Sequence, residues 1–547
     1  MMKIFVSGMV YTKSGMRDAF VVDQGRFIYV GNQEEAMRYG GDVIDLEGRF
    51  VCAGFNDSHM HLLNYGYTLG CFDLSECTDG MEHMIHSFRS FANKMKKQKW
   101  IVGRGFNQDY FQDSRRLPNR YDLDQVDSER PVVAVRACGH VWVVNSRALE
   151  RIDLTQVSKI EGGLVDRDQN GCVLGIFREN AISLIQAQMP SYSVEDLKEM
   201  IVRAAHKVNQ YGITSVQSDD FCALPAVSFE MVIEAYQSLV QEGRLTVRVN
   251  EQCQFTNQSR FQAFLDKYKD SFVSEKDKGQ GVDAPFFKLG PLKIVGDGSL
   301  GARTACMLKP YHDAPMESGI EIYSTDELKT LISMARKEKM SVCIHAIGDQ
   351  TMEHVLDAYA AVLTDKEDHR CGIVHCQIMT PDQYERLAQM RLYAYIQSVF
   401  LDYDQQIVKA RVGLESAMSS YNFKKMLDFG VNVSNGSDAP VEDPNPLRGI
   451  QCAVTRKSLD GKYGPYLLDQ ALSVDQALNA YTYAGAKASF EEKAKGDICE
   501  GMAADFTILE QNPFTVLDEE IGKIKVYATW LNGHCVYRKS SAVTRGK

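Results

Sequence analysis

The stretch Asn56-Asp57-Ser58-His59-Met60-His61 directly follows an apolar run, Phe50-Val51-Cys52-Ala53-Gly54-Phe55. On a β-strand, residues i and i+2 point to the same face, so the imidazoles of His59 and His61 can converge on one point in space. Imidazole is the commonest metal-ligand side chain. A His-x-His pair alone fits two surface histidines on a polar loop equally well. The stretch therefore marks a candidate metal site at the end of a strand, to be weighed against the rest of the chain.

Length and charge narrow the class of protein. A chain of 547 residues is too long for one small core and indicates one large domain with appendages, or two to four domains. The apolar fraction of 44% and charged fraction of 24% are ordinary for a globular protein. The net charge of −11 argues against nucleic acid or an anionic membrane as the partner.

The cysteines and the N-terminus suggest a cytoplasmic protein. The N-terminal residues lack the long apolar region of a secretory signal, and no apolar run is long enough to span a bilayer. The 14 cysteines include no Cys-x-x-Cys pair. Since Cys52, Cys343 and Cys376 lie in apolar strand-like runs, we expect buried free thiols in a reducing compartment.

Both ends of the chain have the pattern of short β-strands. Near the N-terminus, Gln24-Gly25 separates two apolar runs, and near the C-terminus Asn532-Gly533 gives a strong hairpin signal. Neither end alone has enough strands for a stable core. We therefore expect residues 1–52 and 496–547 to form one composite β-sandwich.

Between the two ends, strand and helix patterns alternate. Seven strand-like runs cover residues 213–217, 246–249, 292–295, 341–344, 372–374, 392–396 and 431–434. With the strand leading to His59 they make eight, and eight β/α units close naturally into a (β/α)8 barrel. We therefore predict an α/β protein whose TIM-like barrel spans residues 53–495. The alternative, an open doubly wound sheet, is disfavoured because no Gly-x-Gly-x-x-Gly turn follows an early strand.

Residues from about 64 to 190 do not follow this alternation. They combine a helical pattern at 80–97, a strand-like run at 131–135 and a hairpin signal at Asp168-Gln169-Asn170-Gly171. Because they follow the first barrel strand, they leave the barrel at its C-terminal face, where active sites form. We expect an insertion that roofs the active site.

Further polar residues accompany the later strands. His345, His375 and Asp438 follow or end strand-like runs, and Lys293 lies within one. A single strand-end histidine is often structural, and Asp438 alone could cap a helix before Pro440. A lysine inside a barrel strand is harder to explain, because an unpaired buried ammonium is costly. Together with the His59 pair, the set suits Zn²⁺ or a similar cation.

Motifs along nearly the whole chain carry a family resemblance. They are Gly54–His61, Cys138-Gly139-His140 with Asn145–Leu149, Asp297–Ala305, His345–Asp349 and Gly436–Pro440. On these motifs the sequence resembles the amidohydrolase superfamily. The resemblance is to amidohydrolase family 3, in the branch that contains N-substituted formamide deformylases and YtcJ-like proteins.

The resemblance implies a metal-binding set and a catalytic group. The metal set is His59, His61, Lys293, His345, His375 and Asp438. Lys293 matches a lysine that such enzymes can carboxylate to a bridging carbamate, and Asp438 matches the residue that takes a proton from metal-bound water. The expected cofactor is one or two divalent metal ions, and Zn²⁺ is the metal expected first. The alternative for Lys293 is a salt bridge to a nearby acid such as Asp297.

Four residues are candidates for binding substrate. His140 and Asn145 lie in the insertion, where structural capping is an equal alternative. Asp297 and Arg303 follow the fourth strand and could bind a polar group of the substrate, although Asp297 could equally hold a turn. For Asp349 we expect the N-cap of the next helix.

The function implied is metal-dependent hydrolysis of an amide or formamide-like C–N bond in a small molecule, by a metal-activated water. A non-hydrolytic enzyme on the same barrel, an isomerase or decarboxylase, is the alternative. A non-catalytic binding relative is disfavoured, because such a protein should have lost ligands and this chain keeps the whole set. The expected partner is a small-molecule substrate, with neither nucleic acid nor membrane, and the oligomeric state is left open between monomer and homodimer.

Overall fold

A computed structural model describes residues 2–96, 98–136, 141–159, 163–179, 181–269, 271, 284–363 and 368–540. The chain divides into two units. The larger unit holds residues 1–64, 201–224 and 228–547, and the smaller one residues 65–200 and 225–227.

Two sheets from both chain ends form the β-sandwich of the larger unit. The four-stranded sheet has the order Arg26–Gly31, Ala19–Asp23, Lys3–Val6, Asp42–Asp45. The six-stranded sheet has the order His534–Arg538, Val526–Leu531, Phe506–Leu509, Phe50–Ala53, Met9–Thr12, Gly15–Arg17. In the second sheet Phe50–Ala53 pairs antiparallel with Phe506–Leu509, so the two chain ends share one ladder. The composite sandwich is thereby confirmed.

Aromatic side chains fill the sandwich core. Phe5 stacks on Phe20 with ring centroids 4.6 Å apart, and Phe506 stacks on Trp530 at 5.5 Å. Phe5 and Phe506 meet edge to face at 5.1 Å, which joins the two sheets. Such pairs are worth about 0.5–1.5 kcal/mol beyond the burial of their area.

Eight parallel strands form the barrel, as predicted. In chain order they are Phe55–Met60, Ile213–Ser218, Arg248–Gln254, Phe287–Val295, Val342–Ala346, Gly372–His375, Tyr393–Ile396 and Val433–Asn435. Each strand pairs with the next in parallel register. The second and sixth strands are buried at every position, which is typical of a parallel sheet covered on both faces.

Backbone hydrogen bonds just beyond the eighth strand join it to the first. Asp438 N donates to His59 O at 2.8 Å, and His61 N donates to Ala439 O at 2.8 Å. These bonds bring two segments almost 380 residues apart to the same end of the barrel. They place Asp438 beside the two histidines of the first strand.

Helices separate the barrel strands and follow the last of them. They are Leu62–Thr68, Val194–Asn209, Phe229–Gln241, Gln258–Tyr268, Thr325–Lys337, Asp349–Val362, Pro381–Gln389, Leu401–Asp404, Val408–Ala417, Phe423–Asp428, Pro446–Thr455, Val474–Ala480 and Tyr483–Ala488. Ser324 and Glu327 form a capping box at the start of one of them. The predicted N-cap at Asp349 is wrong by one residue: Gly348 is the cap, and the Asp349 carboxylate accepts from Leu308 N at 2.8 Å.

The smaller unit is built on a sheet of its own. Its strands have the order Gly163–Arg167, Val173–Glu179, Val141–Val144, Val132–Arg136, Ile101–Phe106, Phe72–Asp73, and its helices are Met81–Lys94, Arg120–Asp124, Ser146–Leu149 and Ile182–Gln186. Val132 and Ala134 join one apolar cluster, and Val133 and Val135 join another. Successive side chains of this strand therefore bury both faces of the sheet.

Two further predictions concern membrane-spanning helices and the cysteines. Within the described part of the chain, no helix combines the length and apolar character needed to cross a bilayer. Cys52, Cys343 and Cys376 are buried free thiols, as predicted.

Candidate metal centre

The strand ends bring the candidate ligands together around Asp438. Asp438 Oδ1 lies 3.3 Å from His59 Nε2 and 3.1 Å from His61 Nε2. The side chains of His59 and Asp438 are 1% and 11% exposed. A buried carboxylate thus faces two imidazoles from the first strand, as the His-x-His spacing requires.

His375 and His345 complete the group. The potential ligand atoms of His59, His375 and Asp438 all lie within 4.8 Å of one another. The ring centroid of His345 is 4.4 Å from that of His375. The structure therefore places four imidazoles and one carboxylate in a single cluster.

Three of these imidazoles are held through Nδ1. Gln252 Oε1 lies 2.7 Å from His59 Nδ1, and Gln397 Oε1 lies 2.7 Å from His375 Nδ1. The main-chain oxygen of Asp219 lies 2.9 Å from His61 Nδ1. Because a carbonyl oxygen only accepts, each Nδ1 carries a proton, and Nε2 is the ring nitrogen that is left to bind a cation.

His345 is held the other way round. Its Nε2 lies 3.1 Å from Gly298 O and 3.1 Å from Asp297 Oδ1. Both partners accept, so Nε2 carries the proton and Nδ1 is the available ligand atom. The four imidazoles therefore offer a cation three Nε2 atoms and one Nδ1 atom.

Asp297 has a structural role in addition to this contact. Its carboxylate accepts from Ile347 N at 3.1 Å, Gly348 N at 2.9 Å and Cys306 N at 2.9 Å. The side chain is buried and fully engaged. These contacts are those of the alternative, in which Asp297 holds a turn, and they also orient His345. That Asp297 binds substrate stays a prediction.

Two members of the cluster have unusual backbone conformations. His375 has φ of 79° and Asp438 has φ of 58°, in the left-handed region that residues other than glycine rarely adopt. Such conformations cost on the order of 1–3 kcal/mol and persist only where the surrounding structure enforces them. Asp438 is thus no helix N-cap, which was the alternative explanation for it.

The electrostatics favour neutral imidazoles next to an ionised carboxylate. Burial, with the nearby Lys293 charge, lowers the pKa of His59 to about 4. Burial and the neighbouring His345 also lower the pKa of His375 well below its ordinary value. Burial alone would raise the pKa of Asp438, but its close contacts with the His59 and His61 imidazoles outweigh burial and hold that pKa well below its usual range. Metal binding needs the ligands in these forms.

His61 is the exception. Burial alone would lower its pKa, but the hydrogen bond and charge of Asp438, together with Asp219, raise it to about 9. His61 and Asp438 therefore form an ion pair at neutral pH, and a cation that binds both must displace one proton.

Lys293 lies inside the same cluster. Its Nζ is 3.4 Å from His59 Nε2 and 3.2 Å from Asp219 Oδ2, and the side chain is 2% exposed. The acid beside Lys293 is thus Asp219, so naming Asp297 as the possible salt-bridge partner was wrong. The fourth-strand lysine does face the candidate metal site, as its alternation with Leu292 and Ile294 predicts.

Asp57 supports the cluster from behind. Its carboxylate accepts from Ser437 Oγ at 2.5 Å, Ser437 N at 3.1 Å and His59 N at 3.2 Å. Burial outweighs the opposing effect of these hydrogen bonds and raises the pKa of Asp57 to about 7. The residue fastens the loop after the eighth strand to the first strand.

The remaining predicted substrate contacts are His140, Asn145 and Arg303. His140 lies outside the described residues. Asn145 is fully buried; its side chain accepts from Val132 N and Ala148 N and donates to Asp127 O and Arg130 O, at 2.8–3.0 Å. With these hydrogen bonds Asn145 caps the helix Ser146–Leu149, which was the alternative to the predicted substrate contact.

Arg303 is held by a neighbouring acid. Its Nε and Nη2 atoms donate to the two carboxylate oxygens of Asp313, each at 3.0 Å. This bidentate pair occupies one edge of the guanidinium group.

Sequence reasoning missed three residues of the site, namely Asp219, Gln252 and Gln397. Each lies at or directly after the C-terminal end of a barrel strand, as the predicted ligands do. The same rule, applied to aspartate and glutamine as well as histidine, would have found them.

The donor set fits a divalent cation. Imidazole nitrogens with a carboxylate oxygen are the ligands that Zn²⁺ prefers when no thiolate is present. The oxygen atoms that bond to Nδ1 of His59, His61 and His375 and to Nε2 of His345 are outer partners of the kind that metal-ligating histidines regularly have. Among these residues, His59, His61, His345, His375 and Asp438 would hold the ion.

Comparison with known proteins agrees with this architecture. Residues 42–537 match the model of the amidohydrolase family. The YtcJ protein of Bacillus subtilis (strain 168) is 31% identical, with 99% of this chain and 100% of that protein covered. The N-substituted formamide deformylase of Arthrobacter pascens is 25% identical, with 97% of each chain covered. A crystal structure of an uncharacterized metal-dependent hydrolase from Pyrococcus horikoshii OT3 superposes with a TM-score of 0.78 and 28% identity, covering 95% of this chain and 99% of that one. The chain belongs to the amidohydrolase family.

Proposed function

We propose that this protein, a metal-dependent hydrolase, cleaves an amide or formamide-like C–N bond of a small molecule. The observation that carries the proposal is the position of Asp438, whose Oδ1 lies 3.3 Å or less from the Nε2 atoms of both His59 and His61. A carboxylate in that position can both neutralise a cation and accept a proton beside it.

The side chains of the site have two roles, metal binding and proton transfer. The imidazoles of His59, His61, His345 and His375 bind and orient the cation, for which we propose Zn²⁺. A divalent ion bound there would supply Lewis acidity and would lower the pKa of water at the site toward neutrality. Asp438 accepts the proton of the attacking water and returns it to the leaving nitrogen, which is general acid–base catalysis.

For Lys293 we propose carboxylation to a carbamate. Its neutral amine would add carbon dioxide and lose one proton, so that a cation next to the ligands becomes an anionic oxygen donor. Support comes from its position 3.4 Å from His59 Nε2. The alternative is a permanent ion pair with Asp219, which lies 3.2 Å away.

The proposed bond class has support from one relative. The Arthrobacter pascens protein is named for the deformylation of N-substituted formamides and covers 97% of this chain. We therefore propose N-formyl and N-acyl compounds as the first substrates to test.

Labelled water tests the reaction class. Metal-loaded protein is incubated with N-formyl, N-acyl and cyclic amides in H₂¹⁸O, and the acid product is analysed by mass spectrometry. Hydrolysis places one solvent oxygen in the acid product. Turnover without incorporation of ¹⁸O would instead indicate an isomerase or decarboxylase and would overturn the proposal.

A further inference from the structure

Asp219 lies at the meeting point of the candidate ligands. It follows directly after the second barrel strand, Ile213–Ser218, and is 2% exposed. Its main-chain nitrogen donates to Met60 O at 2.9 Å, between the two histidines of the first strand. The second strand, which contributes no predicted ligand, thus reaches the site through Asp219.

The carboxylate of Asp219 faces the fourth and third strands. Oδ2 lies 3.2 Å from Lys293 Nζ. With the Gln254 amide oriented so that both groups are satisfied, its nitrogen donates to Oδ2 at 2.7 Å and Oδ1 at 3.2 Å. Gln254 and Lys293 are register partners on neighbouring strands, so Asp219 contacts an adjacent pair.

The main-chain oxygen of Asp219 contacts the first strand. It lies 2.9 Å from His61 Nδ1, which leaves His61 Nε2 directed at Asp438. One residue therefore sets the tautomer of His61 and also neutralises Lys293. These contacts use different atoms of Asp219, so a side-chain substitution separates them.

The negative charge of the Asp219 carboxylate matters for metal binding because Lys293 lies next to a candidate metal ligand. Lys293 Nζ is 3.4 Å from His59 Nε2, the nitrogen that would bind a cation. An ammonium at that distance repels a divalent ion in a site with little solvent to screen it. As long as Lys293 is not carboxylated, the anion of Asp219 offsets that repulsion and holds Lys293 Nζ 3.2 Å from Oδ2.

We propose that Asp219 is a positioning residue of the metal centre, which acts on metal binding through Lys293. The inference rests on the proposed function, since it concerns the same cation site. It adds a residue that directly follows the second strand to a set of candidate ligands that comes from the first, fourth, fifth, sixth and eighth strands.

A double-mutant cycle on Zn²⁺ affinity tests the inference. The variants are Asp219→Asn, Lys293→Met and the double variant, and the dissociation constant is measured by competition with a chromogenic chelator. Loss of an outer partner typically weakens metal binding about 10–100-fold. We expect that loss for Asp219→Asn, which keeps the main-chain contact to His61, and no further loss when the substitution is added to Lys293→Met.

Asp505→Asn is the matched control. Asp505 forms a buried ion pair with Arg248, at 2.6 Å, and its side chain is 4% exposed. The control removes a buried aspartate charge without touching the cluster, so the Zn²⁺ dissociation constant should stay within twofold of wild type. If Asp219→Asn does not fold, Gln254→Leu removes the amide that holds the same carboxylate and should weaken Zn²⁺ binding in the same direction.

The outcomes are distinct. An unchanged affinity in Asp219→Asn, or in Gln254→Leu where that variant stands in, overturns the inference while leaving the proposed function intact. An equal loss in the wild-type and Lys293→Met backgrounds means a merely structural role and also overturns it. Wild-type protein that binds no Zn²⁺ overturns the proposed function, and the inference with it.

Discussion

Asp438 Oδ1 and His61 Nε2 lie 3.1 Å apart, although 377 residues separate them in the chain. The contact depends on the hydrogen bonds between the first strand and the segment after the eighth, which close the barrel at this end. The same hydrogen bonds therefore close the barrel at this end and bring Asp438 next to His61.

Substituting Asp438→Asn should abolish turnover with little change in fold. The amide keeps the shape of the carboxylate but does not take up a proton in the same way. Loss of one catalytic proton transfer should lower kcat roughly 10²–10⁴-fold. Steady-state kinetics with circular dichroism as the fold check measure this, and near-normal turnover would remove Asp438 from the mechanism.

Substituting His59→Ala or His61→Ala should lower the metal content. Zinc sites with three or four protein ligands have no spare ligand, so each loss weakens binding. Metal per chain is measured after dialysis against a weak chelator. His312→Ala, a histidine outside the cluster, is the control. Unchanged stoichiometry in both variants would mean that the pair is no metal site.

Substituting Gly436→Ala should disturb the backbone around His59 by steric overlap, without changing any charge. A Cβ at this position would lie 2.6 Å from His59 N and 2.7 Å from Asp57 Oδ1, so the backbone must shift. Overpacking of this kind costs about 1–3 kcal/mol. We expect a lower midpoint of thermal unfolding and reduced metal content. Gly301→Ala is the control, because its Cβ would meet only Ile407 Cδ1, at 4.0 Å; equal effects at both positions would refute the argument.

Much of the fold could be predicted from the sequence, because apolar runs ending in polar residues mark barrel strands. The third strand was only half recognised. The expected run covered 246–249, whereas the strand is Arg248–Gln254 and continues through polar residues that are buried inside the barrel. Periodicity of apolar residues does not reveal a strand whose buried polar side chains contact partners distant in sequence.

The site was predicted where one residue type implies the chemistry. His59 and His61 were recognisable from their spacing, and Lys293 from the cost of burying an ammonium. Its partner was not recognisable, because Asp219 approaches it from another strand. Asn145 shows the converse: its amide looked available in the sequence, yet four backbone groups saturate it. The roofing of the site by residues 64–190 stays a prediction.

Glu491 offers a pH-dependent test of stability away from the site. Its Oε2 lies 2.9 Å from Lys288 Nζ and 3.0 Å from Lys495 Nζ, and its side chain is 6% exposed. Burial alone would raise the pKa of Glu491, but the two ammonium groups lower it to about 2. Since the folded pKa lies below the ordinary value, the contribution to stability is present above about pH 4.5 and is lost as the pH falls toward 2.

Substituting Glu491→Gln should therefore lower the unfolding midpoint strongly at pH 7 and much less near pH 3. Breaking a buried charge network costs about 3–5 kcal/mol. Glu415→Gln, whose partner Lys309 and carboxylate are 73% and 86% exposed, should have little effect. Differential scanning calorimetry across this pH range gives the comparison, and a pH-independent difference would contradict the assignment.

Metal removal tests the central claim most directly. Protein is stripped with a chelator, its metal content is measured, and hydrolysis of an N-formyl or N-acyl substrate is followed before and after addition of Zn²⁺. We expect activity to disappear with the metal and to return in proportion to the Zn²⁺ bound per chain. Full activity in rigorously metal-free protein would contradict the account.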